Sequence, residues 1–193
     1  MKKYELTDDT ITVGGRILHR IKALKSFSDV EEGDLGGYVE KEDNLDHSGE
    51  AWVSGNARVY GNAWVYGDAR VYGDARVSGD ARVYGNAWVY GDARVSGNAR
   101  VYGDARVSGD ARVYGDARVS GENDYAAAKG FGREYRTTTF FRLQDGGIGV
   151  RCGCFCGTLE EFREKVKETH KESKMGKEYL MLADLMEYKF KNA

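Results

Sequence analysis

The sequence predicts a mainly β protein: a repeat coil with an N-terminal β-hairpin cap and a small C-terminal α+β module. Three observations carry that expectation. A six-residue unit, A-[R/W]-V-[Y/S]-G-[D/N/E], runs twelve times without a gap from Ala51 to Glu122. Within it apolar and polar residues alternate with a period of two, the period of a strand and not of a helix. On both sides the repeat stops at segments with hairpin and helix signatures of their own. A short unbroken period outranks other signals, because a single unit buries its apolar face only against its neighbours.

Residues 1–50 read as the N-terminal cap and the entry to the coil. In T-I-T-V-G-G-R-I-L-H-R-I-K-A-L, Gly14-Gly15 supplies a hairpin turn, and Ile11, Val13, Ile17 and Ile21 are the candidate buried positions. G-D-L-G-G-Y-V-E-K-E-D-N-L then feeds the coil. The hexad fades in L-D-H-S-G-E (45–50): Gly49 keeps phase, while Leu45 stands for Ala and His47 for Val. His47 in a Val slot reads as a hydrogen-bonded residue where the first coil distorts, with a ligand or base as the alternative.

Residues 51–122 are the repeat block. Ala at position 1 and Val at position 3 never vary, so these face inward. Positions 2 (Arg or Trp) and 4 (Tyr or Ser) face outward. Gly followed by Asp or Asn is turn chemistry, since Gly adopts positive φ without a steric cost and Asx bonds its own backbone. Each hexad is one very short strand and one corner.

This block resembles the hexapeptide-repeat left-handed parallel β-helix. The resemblance implies three sides per coil and a left hand, against the right-handed rule for ordinary crossovers. With three hexads per coil, twelve hexads make four coils, and the helix is read as one of five coils or fewer. At roughly 4.8 Å per coil, four coils span about 20 Å. Each would bury three Val and three Ala, a gross ~5–8 kcal/mol, much of it offset by ordering entropy. The open ends need caps.

Adding one coil at a time gives columns. One face stacks Trp52, Arg70, Trp88 and Arg106 beside Ser54, Tyr72, Tyr90 and Ser108. A second stacks Arg58, Arg76, Arg94 and Arg112 beside Tyr60, Ser78, Ser96 and Tyr114. The third stacks Trp64, Arg82, Arg100 and Arg118 beside Tyr66, Tyr84, Tyr102 and Ser120. Alternating Trp and Arg on the first face invites cation–π contacts of roughly 0.5–1 kcal/mol each. The all-Arg column repels itself unless corner acids such as Asp80 and Asp116 screen it.

The opening carries a second resemblance. G-R-I-L-H-R-I-K-A-L, F-x-D-V-x-x-G-D-L-G-G-Y-V-E and N-L-D-H-S-G-E-A-W-V, spread over residues 4–60, are similar to the start of hexapeptide-repeat proteins of bacteriophages and prophages, a family without a settled activity.

Residues 123–134 (N-D-Y-A-A-A-K-G-F-G-R-E) break the period and read as a linker. Residues 135–193 form the α+β module. T-T-T-F-F-R-L and G-I-G-V-R-C-G-C-F are two strands joined at Asp145-Gly146-Gly147. Thr158 with Glu161 is a capping box, and Leu159, Phe162 and Val166 share one face of the helix it opens. A second helix near 176–190 gathers Tyr179, Leu182, Ala183 and Met186. G-C-F-x-G-T followed by E-E-F resembles a C-terminal module of phage proteins.

Composition narrows the function classes. The net charge is −2, and the block holds nine Arg against seven Asp and one Glu, so no nucleic-acid signature stands out. No apolar run approaches a membrane span, and M-K-K-Y-E-L-T-D-D-T lacks the apolar centre of a signal peptide. Three cysteines within five residues make no disulfide framework, which points to a reducing cytoplasm, that of a bacterial host by the phage-type resemblance.

Little here points to catalysis. Cys152, Cys154 and Cys156 read as one strand face, a weak candidate for zinc or copper(I), with His170 as a distant fourth ligand. A buried thiol face is the simpler reading, and neither metal nor cofactor is expected. Acyltransferases and γ-class carbonic anhydrases of the resembled fold depend on His, and residues 51–122 contain none, so an acyltransferase-like enzyme is the second alternative only.

The favoured expectation is non-catalytic binding inside a bacterial host, to a host protein or a small nucleotide ligand, in a counter-defence role. Trp, Tyr and Arg dominate binding hot spots. The candidate surface is therefore Trp52, Arg70, Trp88 and Arg106 on the first face, and Trp64, Tyr66, Arg82, Tyr84, Arg100 and Tyr102 on the third. The first alternative is a structural role, as a virion part or a trimeric scaffold, and a trimer is the favoured assembly by resemblance.

Overall fold

A computed structural model describes residues 2–132 and 134–192. The chain opens with a hairpin of β1 (Tyr4–Val13) and β2 (Arg16–Ala23), then β3 (Leu35–Val39) and a 3-10 turn (Glu42–Asn44). Twelve two-residue strands follow: β4 (Trp52–Val53), β5 (Arg58–Val59), β6 (Trp64–Val65), β7 (Arg70–Val71), β8 (Arg76–Val77), β9 (Arg82–Val83), β10 (Trp88–Val89), β11 (Arg94–Val95), β12 (Arg100–Val101), β13 (Arg106–Val107), β14 (Arg112–Val113) and β15 (Arg118–Val119). The C-terminal part holds β16 (Tyr125–Phe131), β17 (Arg136–Arg142), β18 (Ile148–Cys152), β19 (Phe155–Thr158), α1 (Leu159–His170) and α2 (Lys174–Lys191).

The short strands stack in three parallel sheets, one per face: β4-β7-β10-β13, β5-β8-β11-β14 and β6-β9-β12-β15. The molecule is thus a parallel β-solenoid with three sides, and its columns are those that a step of eighteen residues predicts, Trp52 beside Arg70 and Arg58 beside Arg76. Every Ala and Val of the block is at most 1 % exposed, so two small side chains per hexad fill the interior completely. At the corners Gly55 through Gly115 hold φ between +61° and +73°. A methyl group at Gly97 would sit 2.9 Å from the amide nitrogen of Gly115 on the next coil, so the corner needs glycine for space as well as for backbone angle.

The first coil departs from the period. Leu45 bridges Val65, twenty residues on, while Trp52 pairs with Arg70, eighteen on. Two extra residues are therefore taken up at the corner between Asp46 and Glu50. Leu45, not His47, fills the inward Val slot, and His47 sits in the enlarged corner.

A solenoid end exposes unpaired backbone groups, and here they are satisfied one face at a time. On the second face β3 pairs with β5, Tyr38 N–H donating to Ala57 O. On the third, the Asn44 side-chain amide donates to Ala63 O (2.8 Å) and Gly61 O (3.1 Å). On the first, the Lys3 ammonium donates to Ala51 O at 2.7 Å. The hairpin extends the second-face sheet to seven strands. Its buried residues are Tyr4, Leu18, Ile21 and Ala23; of the others expected inside, Ile11 and Val13 are half-buried and Ile17 is 57 % exposed near the hairpin turn.

Residues 125–131, inside the stretch expected to be a linker, form β16, an edge strand paired with β17; Arg133 lies outside the described residues. The sheet β16-β17-β18-β19 lies between the solenoid end and the two helices. Alternation along β17 explains how. Phe141 joins the solenoid core and the Thr139 hydroxyl accepts the Arg112 N–H (2.9 Å), while Phe140 packs with Phe162, Leu182 and Met186 on the helix side. Gly149 faces Phe141 across the pair, and a methyl there would fall 2.2 Å from the ring. The capping box of Thr158 and Glu161 forms as the sequence predicts.

Candidate functional site

The first face is the one that the N-terminal segment reshapes. The loop before β3 folds over its first coil, and Trp52 is consequently buried, 5 % exposed, edge-on to Phe27 (5.4 Å) and Tyr4 (6.4 Å). Its expected place on an exposed column is corrected: it anchors the cap. Arg70 is drawn to Asp29 of the same loop at 2.6 Å, so it stacks on neither tryptophan. The cation–π contact that does form is Arg106 over Trp88, 5.1 Å from the ring.

Beyond the loop the surface opens into a cleft of about 600 Å³. Trp88, 39 % exposed, and Tyr72 meet edge to face at 6.0 Å on one side; Asp29, Asp34 and Leu35 of the capping segment form the other. Tyr72 also stacks flat on Tyr90 at 5.0 Å. Burial holds the Tyr72 hydroxyl above its ordinary pKa, with Tyr90 adding to the effect, so it remains a neutral donor at physiological pH.

The third face carries a continuous ring stack. Trp64 lies on Tyr66 (4.1 Å), Tyr66 on Tyr84 (4.7 Å) and Tyr84 on Tyr102 (5.2 Å), the tyrosines within 8° of parallel. Arg82 is exposed and Arg100 half-buried beside it. At its N-terminal end, residues 42–47 border Trp64 and Asn62 in a recess of about 460 Å³.

The corner acids bond the neighbouring corner amides. Asp80 and Asp116 accept from Asn62 (3.0 Å) and Asn98 (3.1 Å), building amide–carboxylate ladders along the edge. They do not pair with the second-face arginines: among the described residues Arg58, Arg76, Arg94 and Arg112 have no carboxylate within 4.0 Å.

The thiols do not form one face. Gly153 (φ +58°) and Cys154 make a two-residue hairpin turn, pairing Cys152 with Phe155 and Arg151 with Cys156. Cys152 therefore points to the helices and Cys156 to the opposite face. All three cysteines are free, and no His/Cys/Asp/Glu cluster able to hold a metal occurs among the described residues. His170 lies near Tyr179, ring centroids 5.7 Å apart. His47 stacks on Tyr4 (4.4 Å) and its Nδ1 accepts the Lys3 N–H (3.2 Å), a packing role in the cap. No helix among the described residues is long and apolar enough to cross a membrane.

Comparison with known proteins agrees with the architecture. The repeat block is similar to the YdcK beta solenoid repeat, whose family model matches overlapping segments that run from 51–67 to 111–122 and together span residues 51–122. No curated protein matches the chain.

Proposed function

We propose that the protein is a non-catalytic binding protein that seats a partner in the first-face cleft. The observation that supports this reading most is the lid. A bare solenoid face is flat, and here the N-terminal loop turns one face into a 600 Å³ recess with an exposed Trp and a Tyr along its wall. Aromatic rings with fixed orientation bind planar or apolar groups at small entropic cost. The phage-type opening supports a target within a bacterial host, in a counter-defence role that blocks a host protein or sequesters a nucleotide signal. The three free thiols fit a reducing cytoplasm.

The third face favours a second reading, self-association of solenoids side by side, because its Trp64 is as exposed as Trp88 and heads a flat stack. One experiment separates the two. Native mass spectrometry of the protein purified gently from bacteria should show an adduct, a bound host protein or small molecule, that Trp88→Ala removes and Trp64→Ala retains. An adduct indifferent to Trp88→Ala would sink the cleft. A clean oligomer dispersed by Trp64→Ala would favour the scaffold reading.

A further inference from the structure

We propose that the junction of the second face with the C-terminal sheet binds a compact oligophosphate anion, at a site separate from the first-face cleft. The observation is a convergence of guanidinium groups from distant parts of the chain. Arg76, Arg94 and Arg112 pair in register, so their backbones repeat at roughly 4.8 Å. Where the next coil would begin, β17 takes its place through Thr139, and β18 sets Arg151 opposite Thr139 on the same side. Arg151 then lies over Tyr114, 5.9 Å from the ring, and prolongs the arginine column across the junction. Arg136, from the start of β17, closes the far side.

The charges there are unbalanced. Arg94, Arg112 and Arg151 have no carboxylate within 4.0 Å among the described residues, and Arg136 meets Glu134 only at 3.9 Å. The nearest acid, Asp110, is already taken by Lys129 at 2.8 Å, and Asp92 also faces that lysine. Arg94, Arg151 and Arg136 all act on Arg112 as like charges. Guanidinium groups held together by the backbone, against their own repulsion, are what an anion with several oxygens relieves, since each offers paired N–H donors to a phosphate.

The shape limits the ligand. Asp110, Arg112, Lys129, Tyr135, Arg136, Thr137 and Gly153 line a hollow of about 220 Å³, in which the Asp110 carboxylate is engaged by Lys129 and leaves Arg112 and Arg136 as the surplus charge. That suits a di- or triphosphate group better than an extended polymer. Gly153 contributes because it lacks a side chain: a methyl there would come within 2.8 Å of the Arg136 guanidinium.

The test is titration calorimetry of the full chain with sodium tripolyphosphate. Saturable binding, one site per chain, is expected. It should weaken at least tenfold in the Arg112→Gln/Arg151→Gln double variant, weaken as salt is raised, and stay unchanged in Trp88→Ala. Arg136→Gln, with an exposed side chain, is the second variant should the double variant melt early, and a loss of at least threefold is expected. Absence of saturable binding at low salt overturns the proposal, as does binding that neither arginine variant alters. Tighter, arginine-dependent binding of single-stranded DNA also overturns it, because the whole column and not the hollow would then be the site.

Discussion

Lys3 is fully buried, and it occupies the place of a missing strand. Its ammonium donates to Ala51 O and lies 5.1 Å from the Phe27 ring. Burial, the largest cause, holds its pKa at about 8, well below 10.5. The folded chain therefore loses this proton as pH rises through 8, while the unfolded chain keeps it until about 10.5. Across that window the unfolded state binds more protons, so this residue makes stability rise with pH. Tyr4, whose hydroxyl is pushed far up by burial, gives the opposite slope only above about pH 10. Denaturant unfolding at pH 8, 9 and 10 should show stability climbing more steeply in the natural chain than in Lys3→Met. Parallel pH profiles would mean that the ammonium is not held against the coil as described. Nothing in M-K-K-Y announced this role, because it depends on which carbonyl a later coil leaves unpaired.

At the scale of elements, the sequence was most legible where a period repeats and least where elements from different regions meet. The columns, the capping box and the faces of α1 and α2 follow from spacing alone. The extra residues at His47 and Ser48 were hidden because L-D-H-S-G-E mimics a hexad, with Gly49 in phase. The pairing of Cys152 with Phe155 was hidden by alternation that continues through C-G-C-F-C, although Gly153 was the available signal for a turn. Trp52 was placed outside because its hexad position faces outward in all the later coils; the N-terminal segment covers it, through Phe27 of the folded loop and Tyr4 of the hairpin. That account makes a spectroscopic prediction. Trp52 is the buried one of the three tryptophans, so Phe27→Ala should shift emission to the red by wetting Trp52. An unchanged spectrum in a folded variant would show that the loop does not seal the first coil.

At the scale of the molecule, both caps grip only the coils nearest to them: the N-terminal segment reaches Trp52, Arg58, Trp64 and Arg70, and the C-terminal sheet reaches Arg112 and Ala117. The coils between contact chiefly their own neighbours, the condition under which a solenoid's stability is a sum of unit and interface terms. Length is then adjustable in whole periods. Deleting residues 75–92 removes one coil and joins Asp74 to Ala93, with every Ala and Val still facing inward. The shortened protein should fold, lose about 4.8 Å of length by small-angle scattering, and melt earlier, because one layer of buried Val and Ala is gone. Deleting residues 75–77 instead puts Ser78 in an Ala slot and Gly79 and Asp80 out of phase, which turns polar groups into the core at a cost of roughly 2–7 kcal/mol each when unpaired. That variant should fail to fold. If both deletions melt alike, neither the register nor the additive coils set the stability of the whole, and the caps do.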